Sequence, residues 1–164
     1  MSQSISTFSG TEIYLDTTAF YAFLRVAEPA AQQLFQQIEA SSLQAYTSVL
    51  AFDEVAYRLL LALIRDHHAG SPLDNLRRDE TNLIATYYPQ IAPRLERLQS
   101  LPSLVVLNLA ADDVTDMHQF ILKHHIRPRD ALHLTAMQKC ECFNLVSNDG
   151  DFDRVPAVSR YTIP

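Results

Sequence analysis

The chain alternates short apolar runs with longer stretches in which apolar residues recur every three or four positions. The short runs predict strands at residues 13–15, 43–46, 104–109, 143–146 and 158–163. The longer stretches predict helices at about residues 18–26, 30–40, 48–67, 112–124 and 130–139. Because strands and helices alternate, the pattern predicts an α/β fold with a central, mainly parallel sheet of four to five strands and helices on both faces.

The domain organisation follows from where this alternation is interrupted. Residues 1–11 are polar and without pattern, which predicts a loose N-terminal leader. Residues 12–164 are expected to form one domain, a size that suits a single core. Gly70-Ser71-Pro72 breaks the chain, and the more polar segment that follows predicts a helical insert around residues 70–102, interrupted by prolines. This insert adds four basic side chains, Arg77, Arg78, Arg94 and Arg97.

The helix predicted from about residue 48 to residue 67 is apolar on nearly every side between Leu59 and Ile64. A helix of this kind needs cover on several faces. Two interpretations fit: it is a central core helix, or part of its surface is closed by a second subunit or another protein partner.

Composition and charge exclude several classes of protein. Hydrophobic residues make up 48% of the chain and charged residues 20%, which is typical of a globular domain. The longest apolar run, residues 59–64, is far shorter than the ~20 residues that cross a bilayer. No secretory signal is visible, so we expect a cytoplasmic protein without membrane association. A net charge of −6 argues against a protein that coats nucleic acid, although metals and clustered arginines can give a nuclease local positive charge.

The numbers of glycines and cysteines exclude further classes of protein. The three glycines, Gly10, Gly70 and Gly150, cannot form a dinucleotide-binding fingerprint or a P-loop, and no nucleophile elbow occurs. Cys140 and Cys142 are too few for a disulfide framework or for a structural zinc site.

Four acidic residues stand where a parallel α/β fold brings side chains together. Asp16 and Asp149 each follow a predicted strand. Asp130 lies in the first turn of a helix, and Glu54 lies farther along its helix on a longer side chain. Ligands bind beyond the carboxyl ends of parallel strands, so we expect the four carboxylates to converge there. Gathered carboxylates repel one another unless a divalent metal binds them, and such metals hydrolyse phosphodiester bonds. The sequence therefore predicts a small metal-dependent nuclease.

Each acid also has a simpler role available. Asp16 could cap the following helix, and Asp130 could be a helix-start acid. Asp149 could form a turn, and Glu54 could be a solvated helix position. Asp53 is an alternative to its neighbour Glu54, and Asp151 competes with Asp149 for its role.

Two arginines and a histidine surround the third acid. Arg127 and Arg129 flank Pro128 just before Asp130, which makes them candidates for binding the substrate, with solvated loop residues as the alternative. His133 shares a helix face with Asp130, and a core or supporting role is favoured for it over metal ligation.

Four segments together resemble the PIN-domain ribonucleases. They are an apolar strand ending in Asp16-Thr17-Thr18, Thr47-Ser48 leading into the helix with Glu54, Arg-Asp-Ala-Leu-His at residues 129–133, and Leu-Val-Ser-Asn-Asp-Gly-Asp-Phe at residues 145–152. The similarity spans roughly residues 12–155. In size and layout the chain is most similar to the toxin subunits of VapBC toxin–antitoxin modules.

This resemblance implies a Mg²⁺- or Mn²⁺-dependent endoribonuclease that cleaves RNA. The metal would be held by the four acids Asp16, Glu54, Asp130 and Asp149. Supporting contacts would come from Thr18 or Ser147, with Asp151 beside them. Toxins of this kind are typically homodimers kept inactive by an antitoxin peptide that lies over the site, so a second copy and an antitoxin are both expected partners.

Other functions remain open on the sequence. The main alternative is a non-catalytic module of the same fold that binds RNA or protein, and metal-dependent RNA cleavage separates the two. A phosphatase with Asp16 as its nucleophile would carry an aspartate at position 18, where this chain has Thr18. A response-regulator receiver needs a lysine on a late strand, and none stands between Leu145 and Asp149.

Overall fold

A computed structural model describes residues 2–164. Within these residues, six strands form one sheet in which every neighbouring pair is parallel. In chain order they are β1 (Gln3–Ser4), β2 (Glu12–Leu15), β3 (Gln44–Ser48), β4 (Leu104–Leu107), β5 (Asn144–Val146) and β6 (Ser159–Thr162). Across the sheet the order is β1-β6-β5-β2-β3-β4.

Seven α-helices occur in the same described part of the chain. They are α1 (Thr17–Tyr21), α2 (Pro29–Glu39), α3 (Val49–His67), α4 (Pro72–Arg78), α5 (Glu80–Gln99), α6 (Asp113–His124) and α7 (Pro128–Lys139). Helix α1 continues into a π-helical segment, Ala22–Val26, and a short 3₁₀ helix, Gly150–Arg154, follows β5. Helices α2, α4 and α7 each begin with a proline, whose fixed φ suits the first helical turn.

The predicted α/β class with a parallel sheet is confirmed, and the strand count needs correction from four or five to six. The additional strand is β1, which pairs with β6 through Gln3 and Ser4. This strand consists of two polar residues, which are too few to show the alternation typical of a strand. The leader expected to be loose is thus attached to the sheet at this point, and Ile5 directly after it is buried.

The segment expected to be a helical insert consists of α4 and α5. Helix α5 runs unbroken through Pro89 and Pro93, where the sequence predicted interruptions. Its buried side chains Leu83, Tyr87, Ile91 and Leu95 recur every four residues, and α5 packs along α3. This packing compensates for the two backbone N–H groups that the prolines lack.

Two hydrophobic clusters cover the two faces of the sheet. Ile13 and Leu15 of β2 join the cluster that contains α1, α2, α3 and α5. Tyr14, between them, points to the opposite face and joins the cluster built on α7. Strand β5 divides in the same way, with Val146 on the first face and Leu145 on the second. The central strands are therefore buried on both sides, as a parallel sheet between helix layers requires.

The strand order creates a crevice between β2 and β5. From β2 the chain proceeds outward through β3 and β4, whereas β5 and β6 lie on the other side of β2. The helices that follow β2 and β5 therefore diverge, and ligands bind at such a switch point beyond the carboxyl ends of the strands. The amide of Asp16 donates to the carbonyl of Val146 (3.3 Å), so the two chain segments stay together as they leave the sheet.

None of the helices in residues 2–164 is long and apolar enough to span a membrane.

An ion pair joins α6 to α7, at the opposite end of α7 from Asp130. Asp113 Oδ2 accepts hydrogen bonds from Lys139 Nζ (2.8 Å) and from the backbone amide of Ala110 (2.6 Å). Lys139 also donates to the carbonyl of Asn108 (2.8 Å). Lys139, and after it the Ala110 amide, lower the pKa of Asp113 below its ordinary value.

Replacing Asp113 by Asn should lower the free energy of unfolding at pH 7 by about 1–2 kcal/mol, because a charge-assisted hydrogen bond becomes a neutral one. Since the folded pKa of Asp113 is lowered, the contribution of its charge is fully present above the ordinary pKa of about 3.9 and is lost as the pH falls through the folded pKa. Urea titrations at pH 7, 5, 4 and 3 should show the two proteins converging at the acid end. The neighbouring exposed Asp112→Asn is the control, and an equal loss in both variants would contradict the assignment.

Candidate metal centre

A cleft of about 560 Å³ opens at the crevice between β2 and β5. The four predicted acids line it, together with residues from α1, α3 and α7. The lining residues are Asp16, Thr17, Thr18, Asp53, Glu54, Tyr57, Arg58, Arg127, Arg129, Asp130, His133, Asp149 and Phe152. All four predicted acids therefore line one cleft, although Asp16 and Glu54 lie outside its tightest group of carboxylate oxygens.

Three aspartates form the tightest group within this region. Asp130, Asp149 and Asp151 each present a carboxylate oxygen, and these oxygens lie within 4.8 Å of one another. Asp130 comes from the first turn of α7, and the other two come from the turn after β5. Oxygen ligands lie about 2.0–2.6 Å from a hard cation, so ligand atoms sharing one ion lie within about 5 Å of one another. The spacing of the three aspartates therefore fits a hard divalent cation.

Asp130 is the least compensated of these carboxylates. Its Oδ2 is buried and has no hydrogen-bond partner in the described part of the protein. Burial, and after it the negative charge of Asp149, raise the pKa of Asp130 above its ordinary value. A buried acceptor without a partner is costly, so this oxygen is an independent sign that the group takes a cation.

Asp16 combines a structural and a chemical position. It ends β2, and its Oδ1 accepts a hydrogen bond from the backbone amide of Thr18 (2.6 Å), so it does cap α1. The residue is buried and lines the cleft. Burial raises the pKa of Asp16, although the Ser147 hydroxyl and the Thr18 amide lower it in part. Capping uses one oxygen, which leaves Asp16 available to the cleft.

Glu54 is held by protein groups on both of its oxygens. Thr17 donates its hydroxyl hydrogen to Oε2, His133 Nε2 lies 3.4 Å from the same oxygen, and Arg129 Nε lies 3.0 Å from Oε1. Burial alone would raise the pKa of Glu54, but the hydrogen bonds from His133 and Thr17 outweigh it. With the charge of Arg129 they hold that pKa below its ordinary value. Glu54 is therefore ionised and fixed in place.

The neighbouring acid Asp53 is placed differently. It is exposed on the rim of the cleft, with an oxygen 3.6 Å from Arg129. Of this pair, Glu54 is the one turned into the cleft and tied to the residues around it.

The turn after β5 is built to present its acids. Asp149 Oδ1 accepts from the amide of Asp151 (2.9 Å), and the Ser147 hydroxyl accepts from the amide of Asp149 (3.0 Å). Arg160, paired with Asp153 through two hydrogen bonds of 2.8 and 2.9 Å, donates to the Ser147 carbonyl (3.1 Å). The Ser147 hydroxyl thus positions Asp149 by binding its backbone amide. The buried guanidinium of Arg160 fixes the turn by binding the Ser147 carbonyl.

The two predicted substrate arginines lie over the acids. Arg127 approaches Asp149 (3.8 Å) and Asp151 (3.7 Å), and Arg129 approaches Glu54 and Asp53. Both side chains are more than half exposed, so they can leave these acids without breaking the core. In the protein without a cation they partly neutralise the cleft.

Some residues that line the cleft were not predicted from the sequence as site residues. Tyr57 and Arg58 line it from α3, and they follow Glu54 by one helical turn, a spacing that would have placed them on its face. Arg58 stacks on the ring of Tyr21, with 4.3 Å from guanidinium to ring centroid. Thr17 follows Asp16 directly in the Asp16-Thr17-Thr18 segment, but nothing in the sequence indicates its hydrogen bond to Glu54.

Comparison with protein families gives a match over most of the chain. The model of the PIN domain matches residues 13–158. The chain belongs to the PIN domain family. No curated protein matches this PIN domain significantly in sequence.

Solved structures resemble this PIN domain in fold. The VapBC2 structure from Rickettsia felis, bound to a DNA fragment from its promoter, has a chain with TM-score 0.60 and 12% identity, covering 93% of this chain and 99% of that one. VapC20 of Mycobacterium tuberculosis, described as a Sarcin-Ricin loop cleaving toxin, has TM-score 0.54 and 20% identity over 88% and 95% of the two chains. PAE2754 from Pyrobaculum aerophilum has TM-score 0.54 and 14% identity over 92% and 89%. The expected resemblance to PIN domains of the VapBC type is confirmed.

Replacing Asp130 by Asn should stabilise this PIN domain in the absence of metal. The folded pKa of Asp130 is raised, so its charge destabilises the folded state above that pKa, and the wild type gains stability as the pH falls through it. Removing the charge should raise the free energy of unfolding at pH 7 by about 1 kcal/mol. Urea denaturation in EDTA measures this, with Asp112→Asn as the control. A loss of stability in Asp130→Asn would show that its charge does not oppose folding.

Proposed function

We propose that this PIN domain is a metal-dependent endoribonuclease that hydrolyses RNA phosphodiester bonds, and that it is the toxin of a toxin–antitoxin module. The observation that carries the proposal is the group of three aspartate oxygens within 4.8 Å, one residue of which has a buried oxygen without a partner. A helix start or a turn needs one acid, whereas a cluster of three acids at a sheet switch point suits a cation.

Mg²⁺ or Mn²⁺ would be held by Asp130 and Asp149, with Asp16 and Glu54 completing the set from the other side of the cleft. Asp151 is close enough to its two neighbours to join them. Carboxylate oxygens suit hard cations of this kind. When bound, such a cation supplies Lewis acidity towards phosphate oxygens and lowers the pKa of a water molecule.

The remaining side chains bind and orient the RNA. Arg127 and Arg129 stand at the mouth of the cleft, where their guanidinium groups can transfer from the acids to a phosphate, a strong charge-assisted contact. Tyr57 presents an exposed ring on the rim, suited to stacking on a base. Thr18 and Ser147 hold Asp16 and Asp149 through backbone and hydroxyl hydrogen bonds. An RNA substrate would place this action in the cytoplasm.

Purified protein incubated with total RNA tests the proposal. Cleavage should require Mg²⁺ or Mn²⁺ and stop on addition of EDTA. Asp130→Asn and Asp149→Asn should each lose more activity than the roughly 10–100-fold that follows loss of a supporting contact. The exposed Asp112→Asn should cleave at the wild-type rate. Metal binding without any cleavage would favour the non-catalytic RNA- or protein-binding module.

An antitoxin partner is supported by the structural neighbours, several of which are toxin–antitoxin complexes. A peptide that covers the cleft would exclude RNA from the acids and from the arginines at its mouth. The product of a neighbouring reading frame, added to the cleavage reaction, is the direct way to identify it.

A second copy of the chain has a candidate surface between α3 and α5. Large apolar side chains are exposed there, and two adjoining hollows of about 450 and 260 Å³ lie along the same groove. Apart from Tyr57 at the rim of the cleft, the exposed apolar residues on these helices are Val49, Ile84 and Tyr88. Exposed apolar surface of this kind marks protein interfaces. The all-round apolar segment of α3 at residues 59–64 has a different explanation, because it is covered by the core of the chain itself, as expected of a central core helix.

Light scattering should therefore give a mass of about twice the 18.6 kDa of one chain. Tyr88→Glu places a charge in the middle of the apolar groove and should yield monomers. Leu122→Glu, at an exposed apolar position on α6, is the matched control and should leave the dimer intact. A monomeric wild type would refute the predicted homodimer without bearing on catalysis.

A further inference from the structure

His133 is a buried histidine with both ring nitrogens engaged. It lies on α7 one turn after Asp130 and is 3% exposed. Its Nδ1 lies 3.0 Å from the hydroxyl oxygen of Tyr14, and its Nε2 lies 3.4 Å from Oε2 of Glu54. Tyr14 is itself fully buried and its ring packs edge-on against the imidazole, with centroids 5.8 Å apart. The three residues form a continuous polar chain from β2 through α7 to α3.

The partners determine which nitrogen carries the hydrogen. The ionised carboxylate of Glu54 can only accept, so the hydrogen of a neutral imidazole must be on Nε2. Nδ1 then has a free lone pair, which accepts the hydroxyl hydrogen of Tyr14. Burial raises the pKa of Tyr14, so that hydrogen stays on the phenol. Because Nε2 carries a hydrogen and the Nδ1 lone pair is occupied by Tyr14, no ring nitrogen is left for a metal ion, which argues against His133 as a ligand.

Glu54 needs such support because of where it stands. It reaches the cleft on a long side chain from α3 and has rotamer freedom that the shorter aspartates lack. Its Oε1 contact, Arg129, is 58% exposed and can leave. Its Oε2 contacts, Thr17 and His133, are both buried and remain. The buried pair is therefore what fixes the orientation of the carboxylate when Arg129 moves away.

We propose that His133, packed against Tyr14, is a positioning residue whose Nε2–H group fixes the Glu54 carboxylate in the orientation required by the metal centre. This inference rests on the proposed function, because the role of Glu54 as a ligand belongs to that proposal. Hydrogen bonds of this kind behind a metal ligand typically change metal affinity or activity by about 10–100-fold.

The tautomer can be observed directly in the metal-free protein by ¹⁵N–¹H NMR of the histidine rings at neutral pH. We expect the neutral ring of His133 to carry its hydrogen on Nε2 in the wild type and in Tyr14→Phe, because the Glu54 carboxylate can only accept. Glu54→Gln, whose amide can accept or donate, should give a mixture of the two tautomers. An Nδ1–H form in the wild type, or the Nε2–H form alone in Glu54→Gln, would overturn the inference. This measurement requires neither metal nor RNA.

Mn²⁺ affinity measured by calorimetry tests the positioning role without relying on activity. His133→Leu removes the donor and should weaken binding about 10-fold. His133→Gln carries an amide N–H close to the position of Nε2 and should stay within about 3-fold of the wild type. Thr135→Val, a buried change on the same helix away from Glu54, controls for general loss of packing and should bind normally. Wild-type affinity in His133→Leu, or equal weakening in His133→Gln, would contradict the role.

These outcomes separate the inference from the proposed function. If the wild type cleaves RNA and His133→Leu cleaves and binds Mn²⁺ equally well, the inference fails and the nuclease stands. If the variants change Mn²⁺ affinity as expected while no protein cleaves RNA, the inference stands and the nuclease fails. A wild type that binds no Mn²⁺ would overturn both.

Discussion

Mutual repulsion among half-buried carboxylates is the constraint on which this structure depends. Oxygens of Asp130, Asp149 and Asp151 converge within 4.8 Å of one another. Arginines approach the last two, but one Asp130 oxygen is buried without a partner. A fold selected only for stability would place a cation or a neutral side chain here. The arrangement is instead that of a site whose charge is compensated by a group from outside the chain, with two exposed arginines as partial substitutes.

The parallel sheet makes this convergence possible. Because β2 and β5 are neighbours at a switch in strand order, the segments after them leave the sheet side by side, and α7 begins against the same opening. Each acid is then oriented by a local device: Asp16 by the α1 amide it caps, Asp149 by the Ser147 hydroxyl, and Glu54 by buried partners. Backbone topology gathers the charges, and hydrogen bonds set their orientation.

The sequence predicted the parts of this arrangement that have a period or a position at a strand end. The α/β class, the long helices and the placing of Asp16 and Asp149 beyond strands follow from local pattern. Strand β1 could not be predicted, because two polar residues show no period. Neither could the inclusion of Asp151 in the tightest cluster or the link from Tyr14 through His133 to Glu54. The two contacts of His133 join it to residues 119 and 79 positions away in the chain, so they depend on how the side chains pack in the fold.

The central claim is that the three-aspartate group takes a hard cation. Crystals grown with Mn²⁺ and measured at a wavelength where manganese scatters anomalously locate the ion without reference to activity. The account predicts a peak in the cleft within about 2.6 Å of oxygens of Asp130 and Asp149. A cleft that contains only water at saturating Mn²⁺, or an ion bound at the surface elsewhere, would contradict it.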